Sequence, residues 1–307
     1  MIRHAVLTAA LVLQTSLFIP NAQAADASPT GFDLVETTAR AAKGDAEAQY
    51  AVGRAYLKGE GAPVDYAKAR TFFQQAAEKG HPKAQANLGA LLVNGKGGPV
   101  DLKSAMEWFT KAAAQGDAVA ETNLGWMHYA GLGTAKNVAE GLKWYRLAAV
   151  AGQTDAQLRL SDHYMNLRLE PDAPTDYPEA AKWLALAAAK GHAGAQNSLG
   201  VLYEEGRGVE KNLAEAVRLF RAAADQGEPR AQMNLGRLYD EGKGLPQDAT
   251  QAAFWLTLSV EQKEITGEKL LGDLVAMNRI TRENLLEGRR LAADYRAKKG
   301  APAKMAP

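Results

Sequence analysis

Glycine recurs along this chain at a nearly constant interval. Four steps between the glycines in question span 36 residues, and one, from Gly152 to Gly191, spans 39. Self-similarity at a period of about 20 to 50 residues is the signature of tandem supersecondary units that stack on their neighbours. The six glycines, each counted as position zero of its unit, are Gly44, Gly80, Gly116, Gly152, Gly191 and Gly227.

The first part of each unit is patterned as a helix. Position four is always Ala, position eight is always aliphatic, and position nine is Gly in five units and Ser161 in the fourth. Spacings of four residues place positions four, eight and twelve on one helical face. Because glycine destabilises a helix interior, its recurrence at position nine predicts a neighbouring helix that packs too closely for a larger side chain.

A second helix follows a glycine turn in each unit. Glycines at positions fifteen and seventeen end the first helix in most units. Position 21 carries an acid or amide that we predict as N-cap, and Glu140, Glu179, Glu215 and Gln251 three residues on predict the reciprocal bond of a capping box. The predicted N-caps are Asp65, Asp101, Asn137, Asp176, Asn212 and Asp248. The large side chains predicted as core anchors of the second helices are Phe72, Trp108, Trp144, Trp183, Leu219 and Trp255.

The pattern Ala-x-x-x-Leu-Gly-x-x-Tyr, then Gly-x-Gly, then Trp and Ala-Ala before Gly, resembles the Sel-one-like repeat (SLR) group of tetratricopeptide-like proteins. The stretches AQANLGALLVNGKG and AQMNLGRLYDEGKG carry the resemblance most closely. It implies an all-α fold: a right-handed superhelical solenoid of six antiparallel helix pairs with N- and C-terminal capping helices, the first helices lining the concave side. It also implies scaffold and adaptor roles, several of them in bacterial envelopes, although a fold alone does not define a function.

The predicted organisation places a signal peptide before the repeats and capping helices on both sides of them. In the fourth unit, residues 167–174 replace the glycine turn; a tolerated surface insertion, a partner contact and a local change of superhelix pitch all fit this replacement. The predicted boundaries are 1–24 for the signal peptide, 25–43 for an N-terminal segment and capping helix, 44–79, 80–115, 116–151, 152–190, 191–226 and 227–263 for the repeats, 264–298 for C-terminal capping helices and 299–307 for a disordered tail.

The N-terminus predicts export. A short basic start precedes an uncharged apolar run from Ala5 to Ile19, and the small-residue triplet that ends at Ala24 predicts cleavage there. The run is too short for a membrane span. Cleavage would remove Arg3 from 36 basic residues, which leaves 35 against 35 acidic ones, so the charge balance favours neither nucleic acid nor an anionic membrane. We expect a periplasmic or secreted protein with no integral membrane span; its oligomeric state stays open.

No catalytic constellation is apparent. The Gly-x-Gly pairs lack the features of phosphate loops, the protein has no Cys, and neither Gly-x-Ser-x-Gly nor His-Glu-x-x-His occurs. The histidines after residue 24 are too scattered to suggest metal ligands. We therefore predict no enzyme, no catalytic residues, no metal site and no cofactor. A cell-wall or β-lactam-processing hydrolase is the alternative that the resemblance allows, and a scaffold for polysaccharide export is a second.

The leading hypothesis is a scaffold that binds a protein or peptide of the cell envelope in its concave groove. Trp126, at position ten, is predicted to face the groove, with Asn123 and Tyr129 on the same stripe, as an anchor for a partner peptide. The asparagines at position seven are predicted either to bond a peptide backbone or to tie adjacent first helices together. The other candidates on this surface are Arg54, Asn87, Arg159, Asn234 and Arg237.

Overall fold

The computed structural model describes residues 33–166 and 175–300. Within them the chain forms fifteen α-helices and no strand, which confirms the all-α prediction. The predicted signal peptide, residues 167–174 that replace the glycine turn of the fourth repeat, and residues 301–307 lie outside the described residues. The helices are α1 (Leu34–Ala42), α2 (Ala46–Lys58), α3 (Tyr66–Glu78), α4 (Pro82–Asn94), α5 (Leu102–Ala113), α6 (Ala118–Ala130), α7 (Val138–Val150), α8 (Thr154–Tyr164), α9 (Tyr177–Ala189), α10 (Ala193–Glu205), α11 (Leu213–Asp225), α12 (Pro229–Glu241), α13 (Ala249–Glu261), α14 (Ile265–Ala276) and α15 (Arg282–Lys299).

The chain divides into two compact units, one ending at Gln153 and one beginning at Thr154. The first contains α1 to α7 and the second contains α8 to α15. From here on, a unit is one of these two parts of the chain, and a repeat is one of the six helix pairs. Within each unit every helix packs against the next one in sequence up to α14, and α15 packs on α13. The even-numbered helices from α2 to α12 are the first helices of the repeats, and the odd-numbered ones from α3 to α13 are the second helices.

Glycine turns join the two helices of a repeat. Gly95 ends α4 in the left-handed conformation with a φ of 61°, and Gly97 follows with a φ of 75°. A Cβ on Gly97 would stand 2.2 Å from the carbonyl oxygen of Tyr66, which begins the second helix of the preceding repeat. The second glycine of the turn therefore serves the contact between repeats as well as the backbone conformation.

All six predicted N-caps of the second helices are confirmed. Asp101, for example, accepts a 3.0 Å bond from the backbone N–H of Ser104. Two first helices begin with a histidine cap: His81 Nδ1 accepts from the N–H of Ala84 at 3.2 Å, and His192 caps α10 in the same way. Each of these helix starts thus has a side-chain acceptor for amides that the helix itself leaves unpaired.

The capping-box prediction for the second helices was wrong. The N–H of the cap is already used: that of Asn137 donates 2.8 Å to the carbonyl of His128 in the first helix of the same repeat. The glutamate three residues on bonds forward instead, as Glu140 does to Lys143 at 2.9 Å. The cap residue therefore closes the helix hairpin with its backbone and starts the second helix with its side chain.

The small residue at position nine receives a large side chain from the second helix, as predicted. A Cβ on Gly89 would lie 2.8 to 2.9 Å from three ring atoms of Phe109, and one on Gly125 would lie 2.5 Å from the ring of Tyr145. The side chain that packs there stands at position 29 and is at most 2% exposed. The six residues at this position are Phe73, Phe109, Tyr145, Leu184, Phe220 and Leu256.

The predicted core anchors stand one residue earlier, and the prediction holds only for the second unit. Trp183, Leu219 and Trp255 are buried there. In the first unit Phe72, Trp108 and Trp144 are half-buried. One residue is about 100° around a helix, so a side chain at position 28 points beside the first helix rather than into the space above its glycine.

Helices outside the six repeats lie at both ends of the described part of the chain. Leu34 and Ala41 of α1 pack against Ala48 and Val52 of α2. At the other end Thr281 caps α15 with a complete capping box, and α15 extends to Lys299, one residue into the segment predicted as a disordered tail. No helix in the described part of the chain has the length and hydrophobicity needed to cross a membrane.

Candidate protein-binding surface

The first helices of the first unit share one outward surface. In all three helices the residues at positions four, six, eight, nine and eleven are buried, whereas those at positions three, seven, ten and fourteen are at least partly exposed, apart from the buried Asn123. We call this surface the first-helix face. It consists of Glu47, Ala51, Arg54, Lys58, Lys83, Asn87, Ala90, Asn94, Val119, Asn123, Trp126 and Ala130.

Trp126 is the large aromatic residue of this face. It is half-buried, and its side chain packs against the same hydrophobic core as Ala90, its equivalent in the preceding repeat. Both residues stand at position ten, where the first repeat has Arg54. A tryptophan fixed on one side by the core and open on the other is the kind of rigid group that dominates protein interfaces. That Trp126 faces a binding groove stays a prediction.

The predicted stripe of Asn123, Trp126 and Tyr129 does not form. Tyr129 is 3% exposed, and its ring centroid lies 6.2 Å from that of Tyr145 in the core. It follows Gly125 by four residues and so falls on the stripe that faces α7. Asn123 is also 3% exposed, with its Nδ2 donating to the carbonyl of Val119 at 2.9 Å. Of the three residues, Trp126 alone is available to a partner.

The asparagines at position seven have different roles in the two units. Asn87 is half-buried on the first-helix face, and its Nδ2 donates to the carbonyl of Lys83 in its own helix at 2.7 Å. Asn234 is buried, and its Nδ2 donates to Asn197 Oδ1 on α10 at 2.9 Å. In the second unit the asparagine therefore ties adjacent first helices together, which was the structural alternative.

The candidate arginines lie beside acidic side chains. Arg237 bonds to Glu204 at 2.6 Å and Glu241 at 3.2 Å, so a partner of the second unit would have to compete with two carboxylates. Arg54 lies 3.9 Å from Glu60.

Arg159 stands one helical turn after Asp155 on α8. Burial raises the pKa of the Asp155 carboxyl, and the charge of Arg159 opposes that shift.

The described residues contain no group of three or more His, Asp or Glu side chains placed to hold a metal ion. What the geometry defines is a helical-repeat protein: one hairpin per repeat, a core built at the same positions each time, and variation on an outward face. Such architectures commonly present extended binding surfaces.

The family of this chain follows from a match to the Sel1 repeat. The six matches cover residues 46–81, 82–117, 118–152, 154–192, 193–228 and 229–263. Each begins at the first residue of a first helix, from α2 to α12. The chain belongs to the Sel1 repeat family, whose members are protein–protein interaction scaffolds and typically not enzymes.

Two solved structures have similar folds. One is c5321, a protective antigen of uropathogenic Escherichia coli with an SLR fold, which is 32% identical over 88% of this chain with a TM-score of 0.75; this chain spans 58% of that antigen's length. The other is a Sel1 repeat protein from Oxalobacter formigenes, 28% identical over 84% of this chain and 99% of that one, with a TM-score of 0.65. A search of curated proteins found no match.

Proposed function

We propose that this protein is an exported scaffold of the cell envelope, periplasmic or secreted, that holds a protein or peptide segment against the first-helix face of the first unit. The observation that carries the proposal is Trp126, held by the core on one side and open on the other. The proposed partner contacts in this unit are Arg54, Asn87 and Trp126.

The side chains around Trp126 suit a bound segment. The face has Ala51, Ala90 and Ala130 at positions seven, ten and fourteen of successive repeats. Ala90 holds the same position as Trp126 in the preceding repeat, and Ala130 stands one turn after Trp126 on α6, so small residues leave room near the indole ring for a side chain of the partner. Interfaces of this kind concentrate their binding energy in a few aromatic anchors surrounded by near-neutral contacts. We therefore expect Trp126 to contribute more to binding than any other residue of the face.

The N-terminal sequence supports export, because the basic start, apolar run and small-residue triplet match a cleavable signal. The E. coli relative is described as a protective antigen. An antigen that protects must be reached by antibodies or other immune components, which agrees with a location outside the cytoplasm for that relative. By likeness we propose the same for this chain.

The test compares two tryptophans that pack against the same core from different helices. Trp126 lies on the first-helix face, whereas the half-buried Trp108 lies on α5 beneath Lys111, whose Nζ is 4.1 Å from the ring centroid. In crosslinking and affinity capture from envelope extract, we expect Trp126→Ala to abolish recovery of the specific partner and Trp108→Ala to retain it. Thermal unfolding of both variants separates binding from stability. Equal capture by wild type and Trp126→Ala would remove this face from the proposal.

A further inference from the structure

In four repeats a glutamine side chain joins the first helix to the helix before it. The glutamine at position five donates from Nε2 to a backbone carbonyl eight residues earlier, in the last turn of the preceding helix. The four bonds are Gln49 to Ala41 at 3.1 Å, Gln85 to Ala77 at 3.1 Å, Gln196 to Ala188 at 3.3 Å and Gln232 to Ala224 at 3.3 Å. Each of these carbonyls also accepts the N–H of the repeat glycine three residues on, so the glutamine uses the second lone pair of the oxygen.

A second glutamine extends this contact where position 35 of the repeat is also Gln. Gln115 Nε2 donates to Gln85 Oε1 at 2.9 Å. The pairs Gln226 with Gln196 and Gln262 with Gln232 repeat the arrangement, each at 2.8 Å. Where position 35 is not Gln, as at Lys79 in the first repeat, the side-chain oxygen of Gln49 is buried without a hydrogen-bond partner. The donor bond to the preceding helix is thus the constant part of the joint.

The third repeat has Glu121 at position five instead. The carbonyl in register with it, eight residues earlier, belongs to Ala113 at the end of α5. An ionised carboxylate only accepts hydrogen bonds, whereas a protonated one carries an O–H donor. Glu121 Oε2 is buried and has no hydrogen-bond partner among the described residues, and Ala151 at position 35 offers no side-chain donor.

The surroundings of Glu121 favour its protonated form. Burial raises the pKa of this carboxyl, and the negative charge of Asp117 one turn earlier raises it further. Burial also raises the pKa of Asp117, while Lys83 of α4 opposes that shift. The charged side chains of the two helices packed against α6 within this unit lie elsewhere: exposed positions on α5 hold Lys103, Glu107 and Lys111, and on α7 Lys143 and Arg146 are exposed while Glu140 bonds to Lys143.

We propose that Glu121 makes the joint between α5 and α6 pH-sensitive: a proton turns this side chain into the donor that glutamine provides in four other repeats, so that the joint is tighter in acid. The proposal does not depend on peptide binding. Its sign follows from linkage, because a carboxyl with a raised pKa in the folded state holds its proton more tightly there than in the unfolded chain. The added stability is present below the unfolded pKa and is lost as the pH rises through the folded pKa.

The test is the pH dependence of thermal unfolding in the full mature chain. Glu121→Gln installs a permanent donor, and we expect it to raise the unfolding midpoint by about 2 to 4 °C at pH 8, the size of one hydrogen bond in a chain of this length. At pH 4.5 the wild type gains its own donor, so the difference should close. Glu107→Gln, an exposed carboxylate lost from α5, is the charge control and should show no such pH-dependent difference.

Gln49→Glu provides the reverse experiment. As in the third repeat, position 35 gives the side chain at position five no hydrogen bond, because Lys79 donates to the carbonyl of Gly44 instead. This change should therefore introduce at the α1–α2 joint the same loss of stability on going from pH 4.5 to pH 8. A difference between wild type and Glu121→Gln that is the same at both pH values, or a Gln49→Glu variant whose stability relative to wild type does not depend on pH, would overturn the proposal. Amide hydrogen exchange at the start of α6 tests whether the change in stability lies at this joint. After correction for the intrinsic effect of pH on exchange, it should be slower in acid for the wild type but not for Glu121→Gln.

Discussion

The fit between position nine and position 29 predicts a large effect from a single methyl group. A Cβ on Gly89 would meet three ring atoms of Phe109 at 2.8 to 2.9 Å, inside the normal contact distance, so the ring or the helix must move. Overpacking of this kind costs about 1 to 3 kcal/mol. Alanine also removes glycine's penalty in a helix interior, about 0.5 to 1 kcal/mol. Taking the middle of each range, we therefore expect Gly89→Ala to lower the free energy of unfolding by about 1 kcal/mol, and the midpoint by about 2 to 4 °C.

The assay is thermal and urea unfolding followed by circular dichroism, with Gly272→Ala as the matched control. Gly272 lies within α14, and a Cβ there would have no neighbour within 4 Å. The same substitution should therefore stabilise at that site, by about 0.5 to 1 kcal/mol. Opposite signs for the two alanines are the signature of a packing effect. If Gly89→Ala were neutral or stabilising, the close approach of α5 to α4 would not be what selects glycine at position nine.

The fourth repeat suggests how the damage can be repaired. There position nine is Ser161 and position 29 is Leu184, a larger side chain opposite a smaller one, and both are fully buried. Combining Gly89→Ala with Phe109→Leu should therefore destabilise by less than the sum of the two single changes. The coupling energy in this cycle, expected at about 0.5 to 2 kcal/mol for residues in contact, measures the fit directly. Additive effects would contradict a shared packing site.

Two further experiments address the turns and the caps. Gly97→Ala and Gly80→Ala both add a Cβ to a residue with positive φ. The new atom of Gly97→Ala would stand 2.2 Å from the carbonyl oxygen of Tyr66, whereas that of Gly80→Ala meets nothing within 4 Å, so Gly97→Ala should lower the unfolding midpoint much further. Equal losses would show that backbone strain alone selects glycine at Gly97. The pKa values of Asp65 and Asp101 lie below the ordinary range chiefly because the carboxylates accept backbone N–H bonds from Lys68 and Ser104. The two carboxylates therefore stabilise the folded protein above the unfolded pKa of about 4, and this contribution is lost as the pH falls through the folded pKa. The double change Asp65→Asn with Asp101→Asn keeps a capping acceptor and should flatten the fall of the unfolding midpoint between pH 5 and about pH 2; an unchanged fall would assign it to other groups.

The periodic features were predictable from the sequence because their causes are local. A glycine at the end of a first helix and an acid or amide at position 21 act within a few residues of themselves, so their role can be inferred without knowing what packs against them. Pairings across repeats have no such local signature. The bond between Asn234 and Asn197 joins positions seven and six of neighbouring repeats, and only the offset between two packed helices sets that pairing.

The core anchors show where size misled the interpretation. Tryptophan at position 28 is larger than the residue that follows it, yet Phe109 and Tyr145 at position 29 are the fully buried ones. A signal was present: position 25 is Ala or Gly in every repeat, as at Ala105 and Gly141, and these residues are buried too. Positions 25, 29, 32 and 33 form one helical stripe, whose periodicity identifies the buried face better than the largest side chain does.

The same reasoning explains why the proposed binding surface is the part of the molecule that the repeat constrains least. Most positions of a repeat are assigned to the hairpin turn, the caps, the core or the joints, and their side chains recur accordingly. Positions three, seven, ten and fourteen of the first helices escape these demands, so their residues can differ between repeats without loss of the fold. In the second unit some of these residues bond to other side chains of the protein: Arg237 bonds to Glu204 and Glu241, and Asn234 bonds to Asn197. In the first unit the same positions place Trp126 near Ala90 and Ala130, and a partner would gain there by covering an aromatic ring rather than by breaking existing ion pairs.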